Sequence, residues 1–104
     1  MGFTKTNYGD VDDKHGLHFL REPLACQQLG FSVIDVEDGR EGPIHDHAGD
    51  GQEEVYLLLE GAATLTVADE PVELDPGDAV RVDPETSRQL VLHGDSLLVA
   101  AGAP

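Results

Sequence analysis

Apolar residues in this chain never run far before a turn signal stops them, and that spacing excludes most folds. After Pro23 the sequence is interrupted at Asp38-Gly39, Gly61, Ala68-Asp69-Glu70-Pro71, Pro76-Gly77-Asp78, Asp83-Pro84-Glu85 and His93-Gly94-Asp95, about every ten residues. The intervals hold short apolar or β-branched runs: Leu17 to Leu20, Gln27 to Glu37, Glu53 to Glu60, Ala62 to Val67, Val72 to Leu74, Ala79 to Val82, Arg88 to Leu92 and Ser96 to Ala100. Runs of that length between turns read as strands, with His93-Gly94-Asp95 as a hairpin turn. No segment of useful length carries a helical apolar period. The expectation is an all-β chain, an antiparallel sandwich or barrel with little helix.

One stretch carries chemistry. Gly39-Arg40-Glu41-Gly42-Pro43-Ile44-His45-Asp46-His47 is a Gly/Pro-rich bend that delivers two histidines, and Glu53-Glu54-Val55-Tyr56 opens the strongest apolar run. In a strand, residues two apart share a face, so His45 and His47 project together while Asp46 points away. If the run from Glu53 is the neighbouring antiparallel strand, one of its two carboxylates meets the imidazoles. Glu54 then shares a face with Tyr56, and Glu53 with Val55. Two imidazoles and a carboxylate form half a ligand shell for a divalent transition metal.

These residues resemble the first motif of the cupin family: Gly, five residues, His-x-His, a short spacer, Glu, six residues, Gly. Five residues separate Gly39 from His45, and six separate Glu54 from Gly61, a register that selects Glu54 over Glu53. The spacer between His47 and Glu54 is six residues, longer than the family's usual three or four, with the excess in Ala48-Gly49-Asp50-Gly51. The second cupin motif matches at Gly77-Asp78-Ala79-Val80-Arg81-Val82, its Pro-x-Gly turn becomes Asp83-Pro84-Glu85, and its histidine, often the fourth metal ligand, falls on Arg88. The resemblance implies an antiparallel double-stranded β-helix, the jelly-roll barrel, over residues 25–104, and a homodimer. Residues 1–24 would form an N-terminal arm or edge strand, with Met1 to Lys14 a flexible lead-in or an arm against a partner subunit.

Arginine keeps its proton and does not ligate metals. Three roles follow for Arg88. The ion is held by His45, His47 and Glu54 alone, with waters completing the shell. Alternatively, the guanidinium replaces the ion's charge and pairs with Glu54, or it clamps a carboxylate or phosphate on a small ligand. The candidate metal ligands are therefore His45, His47 and Glu54, for Fe, Mn, Ni or Zn, and the candidate ligand-binding residues are Arg88 and Tyr56. Two functions fit: a metal-dependent enzyme acting on a small anionic molecule, and a non-catalytic ligand-binding or sensor barrel. His93, five residues from Arg88, should face the other side of a regular strand. His18 fits no ligand pattern and is expected to be a partly exposed strand histidine, and Cys26 a small buried residue.

Composition narrows the partners. Twenty-one acidic against six basic residues give the 104-residue chain a formal charge of −15, which argues against nucleic acid and anionic membranes as partners. At 39% hydrophobic residues in defined blocks, the acidity is that of a folded surface rather than a disordered tail. One cysteine allows no internal disulfide, and with no leader-like start or membrane-length apolar run the expectation is a cytoplasmic protein. Only Lys5 and Lys14 represent lysine. Acidity with so little lysine suits a salt-rich cytoplasm, where ionic strength screens self-repulsion. The melting temperature should therefore rise as KCl is added, and a flat or falling response would overturn the salt-adaptation reading.

Overall fold

Two long strands hold the protein together. In the computed structural model, which describes residues 2–104, β4 (Glu53–Val67) and β7 (Arg88–Ala103) pair antiparallel along most of their length. Shorter strands fill in around them: β1 (Leu17–Phe19), β2 (Gly30–Val36), β3 (Arg40–Glu41), β5 (Glu70–Leu74) and β6 (Ala79–Val82). The sheet order is β1-β2-β7-β4-β5, with β3 also on β7 and β6 also on β4. Helix is confined to one 3-10 turn at Tyr8–Asp10 among the described residues. The fold is the expected all-β, antiparallel jelly-roll barrel.

Each long strand serves both layers because it bends midway. Tyr56 lies opposite Ala100, and Ala63 opposite Leu92, with register shifts between Leu58 and Ala62. The inward positions of β4 thus pass from even (Tyr56, Leu58) to odd (Ala63, Leu65), while those of β7 stay even (Leu90, Leu92, Ser96, Leu98, Ala100). A one-residue offset is what a bulge supplies, and it re-aims every later side chain. Gly61 makes it at φ +92, where an added Cβ would lie 2.3 Å from the Asp95 carbonyl oxygen.

The segment His93-Gly94-Asp95 is the matching bend of β7, at Gly94 φ +66, and not the hairpin turn expected from sequence. A turn and a mid-strand bend draw on the same residues, Gly and Asp, so local chemistry alone does not separate them.

The core is formed by Leu58, Leu65 and Leu98, each with no exposed surface, together with Ile34, Leu74, Val82, Leu90 and Leu92. Each such leucine contributes about 1.5–3 kcal/mol through burial. The N-terminal arm packs on the opposite face of β1 and β2 from the barrel interior. There Tyr8 donates a hydrogen bond to Asp35 (2.8 Å), and its ring meets His18 edge-on with centroids 5.2 Å apart. His18 is consequently 8% exposed, with Nδ1 3.2 Å from the Val11 carbonyl oxygen. The expected partly exposed histidine is a buried one, because the arm folds back over it. Cys26 is half-buried rather than buried, in the loop between β1 and β2.

Replacing Gly61 with alanine drives a Cβ into backbone at a left-handed φ. Urea denaturation should show a loss of roughly 2–4 kcal/mol. A loss under about 0.5 kcal/mol, the range of a neutral surface change, would mean that the bend does not depend on this glycine.

Candidate metal centre

The histidine segment reaches the interior by following β7. Arg40 and Glu41 pair with Leu92 and Val91, Gly42 N–H donates to the Leu90 carbonyl (2.9 Å), and His45 exchanges two backbone hydrogen bonds with Arg88 (2.9 Å each). Pro43, with no N–H, cannot extend the ladder between them. His45 is an isolated bridge, and His47 lies outside any strand, its N–H donating to the Pro84 carbonyl (2.8 Å). A tight turn closes behind it, with Gly51 N–H on the His47 carbonyl (2.8 Å).

Glu54 arrives from elsewhere. It sits on β4 opposite Val82 of β6 and Gly102 at the far end of β7. The carboxylate and the imidazoles therefore belong to opposite ends of β7 and meet because the sheet rolls over on itself. The expected neighbouring-strand pairing of His45 and Glu54 does not occur; Arg88 takes that place beside His45. Glu54 Oε1 is 3.7 Å from His47 Nε2 and 4.0 Å from His45 Nε2, and the three ligand atoms lie within 4.8 Å of one another. Glu53 points outward and pairs with Arg81 at 3.0 Å.

The donor set fits a divalent ion. Both carboxylate-to-imidazole separations fall within about 4.2 Å, twice an ordinary metal–ligand bond. His47 Nε2 is buried with no hydrogen-bond partner. Each ring has an acceptor at its other nitrogen: His45 Nδ1 is 3.3 Å from the Pro43 carbonyl oxygen, and His47 Nδ1 is 3.2 Å from both Asp50 oxygens. Those acceptors place the ring proton on Nδ1 and leave the Nε2 lone pair facing the cluster. The hydrogen bond from His47 in turn holds the Asp50 carboxyl below the usual carboxylate range.

Tyr56 and Arg88 both address Glu54. The Tyr56 hydroxyl donates to Glu54 Oε1. Burial, reinforced by that carboxylate, pushes the Tyr56 phenol well above its ordinary value, so it remains a donor at any working pH. The Arg88 side chain is fully buried, with Nη2 donating to the Asp83 carbonyl (2.8 Å) and Nη1 4.0 Å from Glu54 Oε1. Its Nε and Nη1 have no hydrogen-bond partner. His93 faces the other side of β7, with Nε2 2.8 Å from the Thr64 hydroxyl.

A cavity of about 290 Å³ opens beside the cluster, lined by His45, His47, Glu54 and Tyr56, by Leu17, Phe19, Ile34, Pro43, Leu90 and Ala100, and by Ser32, Arg40 and Gly42. Arg88 does not reach its surface. A larger hollow, about 680 Å³, lies under the N-terminal arm and shares only Phe19 with it. That hollow is lined by scattered surface charges such as Asp10, Lys14 and Glu22 and holds none of the ligand cluster. Sequence reading missed Asp50 and Arg40. Asp50 had one local signal, an acid three residues after a histidine in a glycine-rich turn. Arg40 had none, since a two-residue strand leaves no periodicity to read.

The Cupin domain family model matches residues 32–104, and the chain belongs to the cupin family. Solved structures agree over nearly the whole chain. A cupin protein from Bacteroides fragilis is 24% identical with a TM-score of 0.81, covering 99% of this chain and 85% of that one. KdgF from Halomonas sp. is 23% identical with a TM-score of 0.76, covering 100% and 94%. A sugar phosphate isomerase of the cupin superfamily from Silicibacter pomeroyi is 16% identical with a TM-score of 0.74, covering 96% and 75%. Among curated proteins no sequence matches.

Truncating Asp50 to alanine frees the His47 ring to turn and to change tautomer. Zn(II) affinity measured by competition with a chelator should fall about 10–100-fold. Asp50→Asn, which keeps an acceptor oxygen, should recover most of it. Wild-type affinity in Asp50→Ala would show that this support is not used.

Proposed function

We propose that this cupin holds one divalent transition ion, Fe, Mn, Ni or Zn, through His45, His47 and Glu54, and acts on a small anionic molecule bound in the adjoining cavity. The convergence of three ligand atoms on a buried, unpartnered imidazole nitrogen carries this reading. Two imidazoles and one carboxylate leave coordination positions free, and an ion so held supplies Lewis acidity or, as Fe(II), a place for O₂. The chain's own residues bind and orient. Tyr56 holds Glu54 by its hydroxyl, whose one proton is spent on that carboxylate. Arg88 acts on the ligand indirectly, by fixing Glu54 from behind. The apolar wall excludes water from the ligand's body. At about 290 Å³ the cavity sits at the small end of ligand pockets, which span roughly 300–1,000 Å³. A small metabolite of a few carbons suits it.

A second reading is a metal-free ligand-binding or sensor barrel in which the Arg88 guanidinium serves as the cation for Glu54. The 4.0 Å separation of Nη1 from Glu54 Oε1 favours it. Fold does not decide between the two, since one fold hosts many functions.

Elemental mass spectrometry of the untagged protein separates them. Near-stoichiometric Fe, Mn, Ni or Zn that vanishes in His45→Ala/His47→Ala establishes the metal cupin. Wild-type protein that stays metal-free after reconstitution, while Arg88→His gains marked affinity for Ni(II), Zn(II) or Mn(II), establishes the guanidinium as the replacement. If Arg88→His changes nothing, displacement of the ion by Arg88 is excluded.

A further inference from the structure

Arg40 is an arginine turned into a barrel with nothing there to meet it. Its register opposite Leu92, a residue of the core at 3% exposure, sets its direction. Residues directly opposite in an antiparallel pair share a face, so Arg40 points inward with Leu92 while Glu41 points outward with Val91. The outer face confirms the parity, since Gln89, on the same side of β7 as Val91, donates to Glu41. Half-buried and lining the cavity, Arg40 makes no ion pair and no side-chain hydrogen bond among the described residues.

Of the four arginines, only Arg40 has neither an ion pair nor a side-chain hydrogen bond among the described residues. Acidic residues outnumber basic ones by 21 to 6, so counter-ions are plentiful. Arg81 takes two of them, Glu53 at 3.0 Å and Asp83 at 2.7 Å. The Arg40 guanidinium lies instead against Gly42, where an added Cβ would be 3.3 Å from Nη1 and 3.1 Å from the Leu90 carbonyl oxygen. A side chain at position 42 would take that space. A guanidinium facing a cavity without a partner is completed by water or by an anion, and it accepts a carboxylate through two parallel hydrogen bonds.

We propose that Arg40 is the anion-receiving residue of the cavity, taking the carboxylate of a small, singly charged acid whose apolar or neutral body lies along Leu17, Phe19, Ile34 and Leu90 toward the His45, His47 and Glu54 cluster. This rests on the reading of the cavity as the ligand site and names the class of ligand. A single charge follows from a single free cation. Arg88 is buried behind Glu54 and does not line the cavity, so the side chains there supply no second permanent cation for a dianion. The apolar lining favours a hydrocarbon or weakly polar body over a polyanion.

The test is an NMR titration of the metal-free full chain with sodium butyrate and with butyramide, its neutral isostere, following the Arg40 Nε–H and the Gly42 and Leu90 amides. Butyrate should shift these signals saturably and bind about tenfold or more tightly than butyramide, the size of a charge-assisted pair. Arg40→Gln should abolish that preference, and Arg40→Lys, a point charge without the fork, should keep part of it. The His45→Ala/His47→Ala protein should retain the preference for butyrate, so a failure of metal binding leaves this result standing and is told apart from it. Equal binding of butyrate and butyramide by the wild type overturns the proposal without any variant having to fold. A preference surviving in Arg40→Gln overturns it too, as does inorganic phosphate displacing butyrate from Arg40 at lower concentration.

Discussion

The pairing of β4 with β7 is the constraint from which the rest of this protein follows. Each strand is long enough to belong to two layers, and the one-residue offset at Gly61 lets both bend without losing their partner. Because β7 stays paired with β4 on both sides of that bend, its two ends come to face each other across the interior. Arg88 at one end brings His45 by direct backbone pairing, and Gly102 at the other lies opposite Glu54. A ligand cluster drawn from two segments with no ladder between them is thus positioned through β7, which pairs with both. The pairing fixes the backbone of His45 and Glu54, and the His47 N–H on the Pro84 carbonyl (2.8 Å) ties in the third ligand.

Electrostatics at the centre reduce to one carboxylate and what neutralises it. Glu54 has a side chain 17% exposed, and it receives the Tyr56 hydroxyl while a fully buried guanidinium stands 4.0 Å away. Two unit charges at that distance attract by about 4 kcal/mol at the effective dielectric of a protein site, before either pays desolvation. Arg88 therefore attracts the Glu54 carboxylate, yet a dication at the same oxygen would be repelled by it. That opposition would weaken the hold on any ion placed at Glu54 and favour open coordination there. Tyr56 adds no charge and so supports Glu54 whether or not an ion is present.

The sequence announced the barrel through the spacing of its turns, and the ligands through His45, His47 and Glu54 at positions resembling the cupin motif. What it could not convey was how segments separated in the chain come together. His45 beside Arg88 is a cross-strand relation between residues 43 apart in the chain. The burial of His18 depends on where the N-terminal arm lies, which no local pattern encodes. The His93-Gly94-Asp95 segment failed for a different reason. Its residues favour reversal and bending alike, and only the continuity of pairing on both sides, from Ala62↔His93 to Leu58↔Leu98, shows that the chain goes straight on. Local chemistry names the place where a strand is interrupted, and tertiary pairing decides what the interruption becomes.

The distribution of the few cations carries the same argument to the whole molecule. Of four arginines, Arg81 is spent on surface carboxylates and Arg21 on the Gln27 carbonyl, while Arg40 and Arg88 are directed into the barrel. A surface of net charge −15 repels small anions at long range, and salt shortens that reach to about a Debye length. Inside the cavity the balance reverses, because water and salt screen the distant acidic surface while a ligand in contact with Arg40 pairs with it at short range in a less polar site. The acidic shell keeps the protein soluble and leaves recognition to short-range pairing. An anion is then held only if its shape lets it reach Arg40, so geometry rather than overall charge selects what the barrel admits.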